Sequence, residues 1–430
     1  MAALLITNVA YAENHRDLTM QCPDCNVIFL NIELLRPEFI GLLGSSLLTP
    51  NIDQFFSKSI IFHDVTSPAG ETFLSNTAVL TVTPAHKINI RPIIIDQFDK
   101  QDEKEKRKIE KQLTALTSVA SMLKNAGYKT ISINQGGRAG KAVYLDRGFD
   151  EFSQWSSDLL FDDMVEILQH SLAKAGDQKF FLLFRATYLH NHQYRRPVNS
   201  KIATPFDARK SIYSYKDRFG KKKEGILLKR NRKQSKEINR QVERAIYAGQ
   251  VRYGDIVIKK LFDSLDDELL KRTIIVLYAN HGTGLGDNNI FNHGTAYQSA
   301  VSVPLLIRMP GMDQAVHVPE PVALISLVPS ILRILNVKPE HRFSIETYDQ
   351  VIAGRISKER IFFGRNGFDE FIRYNNWKYI VQYGRFRKLY DLKSDPGEKT
   401  NLVNEKKMIS RKLAALLLQY KTRLLEEKIE

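Results

Sequence analysis

With 430 residues and 43% hydrophobic content, the chain can bury a large core, enough for roughly two to three domain-sized units or one large α/β domain with an appendage. A formal charge of +15 and a pI near 9.5 favour acidic partners, but no zinc finger, RNA-binding aromatic motif or basic heptad accompanies that charge, which sets nucleic acid aside. Beyond the N-terminus no run supplies the ~18 continuous apolar residues of a membrane span.

The opening "MAALLITNVAYAEN" has a short apolar run followed by Ala10, Tyr11 and Ala12, resembling the apolar region and cleavage site of an export signal without its basic leader. Residues 1–12 are read as an export-signal remnant, which puts the protein in a periplasmic or extracellular setting. Cys22 and Cys25, in "CPDC", are the only cysteines. A local disulfide, unpaired structural thiols and a redox or metal pair all remain open, although a lone pair lacks half of a four-ligand zinc site.

Continuous apolar runs predict core strands at Asn26 to Ile32, Thr130 to Asn134, Lys179 to Tyr188, Thr273 to Ala279 and Val303 to Met309, each covered on both faces. Between them, residues 99–111 read as a solvated charged loop leading into a helix over Arg107 to Ala126, stopped by Gly127. A second helix spans Glu237 to Phe262. The alternation argues for a mainly parallel central sheet flanked by helices, a domain over 26–340. From Arg209 to Arg244 fourteen Lys/Arg face four Asp/Glu, a net of +10 in one insertion. It reads as a solvated segment, a lid or a surface for anions and peripheral membrane contact. After "SLVPSILRIL", two strand-like runs around a polar turn and an amphipathic helix predict a small antiparallel C-terminal subdomain over 355–430.

Polar groups stand next to predicted strand ends in five places: Glu33; Thr72; His190 and His192; Asn280 and His281; and His293. Parallel topology brings such termini to one edge. Carboxylate, hydroxyl, amide and imidazole together suit a divalent metal, zinc foremost, that would deprotonate the hydroxyl. Taken singly, each has a structural reading as cap, dipole partner or loop hydrogen-bonder.

The segments "NIELLRPEFIGLLGSSLLTPNID", "GETFLSNTAVLTV", "LKNAGYKTISI", "RGFDEF", "YANHGTGLGDNNIFNHG" with "VSVPLLIRMPG", and "NNWKYI" with "KLYDLKSDPGEKTNL" occur in the order that resembles the sulfatase-like branch of the alkaline phosphatase superfamily, from about Asn26 to Leu402. The resemblance implies Glu33 as acidic metal ligand, Thr72 as nucleophile and ligand, and His281 as imidazole ligand. His293 would sit at a second metal or on the transferred group, and His190 or His192 would bind substrate. "TFLSN" lacks both the convertible Cys/Ser and the arginine of a formylglycine motif, so Thr72 points to the phosphotransfer branch, as in phosphoethanolamine transferases, through a phosphothreonine intermediate.

Several positions depart from the pattern. Asn280 replaces the usual aspartate and brings no charge to a metal. Thr283 replaces an acidic residue, and Asn134 and Gln135 stand near an expected lysine. Asp287 is the carboxylate available to compensate, and Arg36 is either an anion attractor or an ion-pair partner. The leading expectation is a metal-dependent phosphoester hydrolase or phosphoryl-headgroup transferase acting on a phosphate-bearing small molecule, lipid headgroup or polysaccharide. An impaired, anion-binding or assembly module is the alternative, and sulfate-ester hydrolysis with altered chemistry is a lesser one.

Overall fold

The computed structural model describes residues 20–44, 46–90, 101–136, 139–155, 161–190, 198–199, 210–216, 222–228, 236–340 and 343–426. The export-signal residues and His192 lie outside them. Cys22 and Cys25 form a disulfide.

The central sheet has eight strands: β1 (Asn26–Ile32), β2 (Ile60–Phe62), β3 (Lys129–Gln135), β4 (Glu151–Trp155), β5 (Phe180–Ala186), β6 (Thr273–Tyr278), β7 (Leu305–Arg308) and β8 (Val316–Val318). Their spatial order is β8-β2-β7-β6-β1-β5-β3-β4. β1 pairs in parallel with β6 and β5, and β3 pairs in parallel with β5 and β4, while β7 runs antiparallel to β6 and β2. All residues of β1, β5 and β6 are buried, as expected for strands covered by helices on both faces. Phe29 packs edge-on to Phe181 and Tyr278 at the sheet centre, with ring centroids 5.2 and 5.8 Å apart.

The flanking helices are α1 (Pro50–Phe55), α2 (Thr72–Thr81), α3 (Glu103–Thr114), α4 (Val119–Asn125), α5 (Phe161–Ala175), α6 (Lys236–Ser264) and α7 (Leu327–Ile334), and α8 (Lys407–Glu426) follows at the C-terminal end. The expected single helix over Arg107 to Ala126 is two helices. Asp102 caps the first through the Glu105 amide, so the chain is already helical inside the segment read as a loop. Ser118 then caps α4 through the Ser121 amide, competing with helix continuation. Within the basic insertion, residues Lys210–Lys216 and Lys222–Leu228 pair antiparallel.

The C-terminal sheet has four strands rather than two: β9 (Ile361–Asn366), β10 (Asp369–Tyr374), β11 (Trp377–Gln382) and β12 (Phe386–Asp391), an antiparallel meander. Its turns rest on positive φ at Gly367, Asn375, Tyr383 and Gly384. Leu413 and Leu417 of α8 pack beneath it. The sheet is fastened to two loops of the main domain. Arg365 donates its amide to the Pro68 carbonyl (3.0 Å), and Lys378, paired with Glu398 of its own subdomain at 2.9 Å, reaches Gln298 at 2.9 Å.

Candidate active site

The polar cluster lies at the carboxyl ends of β1, β5 and β6, where an open α/β sheet leaves a crevice. Glu33 follows β1 directly. The next residue, Leu34, takes a left-handed backbone (φ 71°), with its amide bonded to the His281 carbonyl (3.0 Å) and its own carbonyl accepting from the Tyr247 hydroxyl (2.7 Å). That hydroxyl also accepts from the Arg36 amide (2.9 Å), so α6 fixes the chain on both sides of Leu34 and, through it, the neighbouring Glu33. Thr72 is the first residue of α2, a helix buried along its whole length and capped by Glu71, whose carboxylate accepts from the Phe73 and Leu74 amides.

Thr72 Oγ1 donates to Glu33 Oε1 at 2.6 Å and stands 3.2 Å from His281 Nε2. The same carboxylate oxygen is 3.3 Å from His190 Nε2 and 3.6 Å from His281 Nε2. His293 stacks on His281, with centroids 4.9 Å apart, and meets His190 edge-on at 5.2 Å. The structure thus gathers Glu33, Thr72, His190, His281 and His293, drawn from five separate stretches of sequence. His281 Nδ1 lies 2.8 Å from the Gly282 carbonyl, which orients the ring with Nε2 toward Thr72.

Asn280 is fully buried, and its side-chain oxygen and nitrogen have no hydrogen-bond partner among the described residues, while its backbone carbonyl accepts from both Ser67 and Ser75 at 2.6 Å. The carboxylate expected to compensate for it is committed elsewhere. Asp287 binds Arg36 at 2.5 Å and Arg244 at 3.3 Å, contacts that outweigh its burial and hold its carboxyl below the usual range. Arg36 in turn pairs with Glu38 and donates to the Thr283 carbonyl (3.1 Å), which is the ion-pair role of the two open to it.

Arg185 gave no signal as a site residue in the sequence. It is one charge inside an otherwise apolar strand, β5, in register with Asn134 on one side and Asn31 on the other, and it is 2% exposed. Its guanidinium pairs with Glu33 Oε2, donates to Asn134 Oδ1 (3.2 Å) and reaches the Gln135 carbonyl. A positive charge from the adjacent strand therefore contacts the two positions where the family pattern leads one to expect a lysine. Burial by itself would raise the Glu33 carboxyl. Arg185 above all, with His281 and His190, overcomes that and holds it well below its ordinary value. Burial pushes the His190 imidazole down to about 4 against the pull of Glu33, so it is neutral at pH 7.

The donors fit a divalent ion in type: carboxylate, hydroxyl and imidazole stand within 3.6 Å of one another, with a second imidazole beside them, and Asn280 adds a buried, unpartnered amide oxygen. Among the described residues no three carboxylate, imidazole or thiol groups form a ready-made metal site, so the shell would draw on Thr72 and Asn280.

A mainly parallel sheet with a buried helix that starts at Thr72 and a Glu/His/Thr cluster at its carboxyl edge defines an α/β protein of the alkaline phosphatase and sulfatase architecture. The chain belongs to the Sulfatase family, whose profile matches residues 25–337. A "Sulfatase" from Formosa agariphila is 25% identical over 181 residues, covering 41% of this chain and 35% of that protein. The chain thus spans about a third of the length of this relative. Two solved structures share the fold. A putative sulfatase from Bacteroides thetaiotaomicron has a TM-score of 0.66 at 17% identity, covering 94% of each chain. The phosphonate monoester hydrolase of Agrobacterium radiobacter has a TM-score of 0.67 at 14% identity, covering 93% of this chain and 96% of that one. The relatives are sulfatases and hydrolases by name, and enzymes of this family are generally metal-dependent.

Proposed function

We propose that the chain is a hydrolase of anionic esters, phosphate esters foremost, with Thr72 Oγ1 as nucleophile. The observation that carries this reading is the 2.6 Å hydrogen bond from the Thr72 hydroxyl to the buried Glu33 carboxylate, with His281 Nε2 3.2 Å from the same oxygen. A nucleophile, a proton acceptor and a group orienting that acceptor, here Arg185, stand in contact. Glu33, Thr72, His281 and the Asn280 amide would hold a divalent ion, zinc foremost, which would supply the Lewis acidity that makes a threonine hydroxyl reactive near neutral pH.

In the first half-reaction Thr72 Oγ1 attacks phosphorus, its proton passes to Glu33 Oε1, and the ester oxygen leaves. His293 stands beside His281 to donate a proton to that oxygen, and His190, neutral at pH 7, to bind a phosphoryl oxygen. In the second half-reaction water, or an acceptor alcohol in a headgroup transfer, attacks phosphothreonine from the opposite side and gives its proton to His293, while Thr72 Oγ1 leaves with the proton held on Glu33. The chain's positive charge favours a phosphate-bearing small molecule, lipid headgroup or polysaccharide as substrate. The Cys22–Cys25 disulfide suits an exported protein. One observation favours the second reading, an anion-binding module with little turnover: Arg185 already neutralises Glu33, and Asn280 brings no charge.

The test is to measure bound metal in the untagged protein and then assay phosphate monoesters, phosphodiesters and sulfate esters, with Thr72→Ala alongside. The expected result is metal-dependent phosphoester turnover, with phosphate trapped on Thr72 by acid quench and mass spectrometry, and both lost in Thr72→Ala. No turnover on any ester together with no phosphorylated Thr72 overturns the proposal.

A further inference from the structure

The charge of the cluster carries a consequence for how it is loaded. One buried carboxylate, Glu33, is paired with one buried guanidinium, Arg185, and every other group drawn in is an imidazole, a hydroxyl or an amide. A divalent ion entering this pocket would meet no uncompensated negative charge, and an arginine would stand on the far side of its only anionic ligand. Two other carboxylates could correct the balance, but Asp287 is held by Arg36 and Arg244 and Glu71 caps α2 through the Phe73 and Leu74 amides. The missing anion has then to come from the substrate.

We propose that Arg185 is a charge-setting residue that makes the pocket retain a divalent cation only together with an oxyanion, so that metal and anionic substrate bind cooperatively. This rests on the reading that the pocket takes both. Linkage requires reciprocity: the factor by which the oxyanion raises metal affinity equals the factor by which the metal raises oxyanion affinity. A purely orienting role for Arg185 predicts the opposite response to its removal, because losing the partner that aims a ligand weakens metal binding, typically by 10–100-fold.

The experiment titrates chelator-stripped, folded protein with Mn2+, followed by electron paramagnetic resonance and calorimetry, with and without inorganic sulfate as a soluble dianion. In the wild type sulfate should raise Mn2+ affinity by about tenfold or more, a coupling of the size common between linked sites. Arg185→Gln should bind Mn2+ about tenfold more tightly without sulfate and lose most of the sulfate effect, and Arg185→Lys, which keeps the charge, should behave as the wild type. If Arg185→Gln does not fold, Asn280→Asp supplies the charge instead and should shift both quantities in the same direction. Tight, sulfate-independent Mn2+ binding by the wild type overturns the proposal, as does weaker or equal binding by Arg185→Gln or, where that variant does not fold, by Asn280→Asp. Failure of Thr72 phosphorylation with the linkage intact would sink the hydrolase reading alone.

Discussion

Lys378 of β11 and Glu398, in the turn after β12, form a fully buried ion pair that holds Gln298, a few residues past His293. The Lys378 ammonium reaches Glu398 Oε1 and Gln298 Oε1, both at 2.9 Å, and Glu398 Oε2 accepts from the Gln298 amide at 2.6 Å. Burial pushes the lysine down to about 8 and raises the Glu398 carboxyl, in each case against the attraction of the partner. Desolvation therefore exceeds the mutual attraction on both sides, the regime in which breaking a pair costs far more than replacing it. Lys378→Met strands a buried carboxylate and should destabilise the protein by about 3–5 kcal/mol, whereas Lys378→Met combined with Glu398→Gln should return to within ~1.5 kcal/mol of the wild type.

The pH dependence has a fixed sign. The folded pKa, about 8, lies below the ~10.4 of an unfolded lysine, so the unfolded chain binds the extra proton across that window. Stability from this group rises with pH between those values, by roughly 3 kcal/mol, and is lost as pH falls through the folded pKa. The rise must be missing from Lys378→Met. Urea unfolding followed by circular dichroism between pH 7 and 10.5 measures all three quantities. A single variant within ~1 kcal/mol of the wild type, or a double variant as unstable as the single, refutes the argument.

Tyr247→Phe leaves the Leu34 carbonyl and the Arg36 amide without their hydroxyl partner, and should cost roughly 2 kcal/mol or more, read by urea unfolding, with a fall in turnover because the chain around Leu34 is no longer held. Gly70→Ala would place a methyl 2.1 Å from the Thr295 carbonyl oxygen, driving apart the loops that carry Thr72 and His293. About 1–3 kcal/mol of destabilisation, by thermal melting, and a large loss of kcat are the expected outcome, while Gly294→Ala, whose Cβ would meet nothing within 4 Å but whose φ is 90°, should show backbone strain without that clash.

The core strands were legible because each is a long run of apolar residues, and the clustering of Glu33, Thr72, His190, His281 and His293 was legible because a parallel sheet brings the ends of such runs to one edge. β2 and β8 escaped because three residues carry no measurable period. The C-terminal meander was read as two strands although Asn375 and Tyr383-Gly384 mark its extra turns, chemistry that favours left-handed backbone and outweighs the continuity of the aromatic residues around it. Arg185 could not be assigned to the site from sequence: its partners lie 50 to 152 residues away, and only the register of β5 against β3 and β1 brings them together. The roles of Asp287 and Arg36 were undecidable for the same reason, since the two bind each other across 251 residues of sequence and Asp287 also meets Arg244 of α6.

Helix α6 is a rod of 29 residues, about 43 Å at 1.5 Å per residue, and it is pinned along its length rather than at its tip. Tyr247 clasps the end of β1, Asp255 caps α1 through the Asn51 and Ile52 amides, and Lys260 reaches Asp162 of α5. The place of Glu33 thus depends on a single beam braced at three stations, so a substitution that loosens its grip on α1 or α5 should be felt at the end of β1 as well.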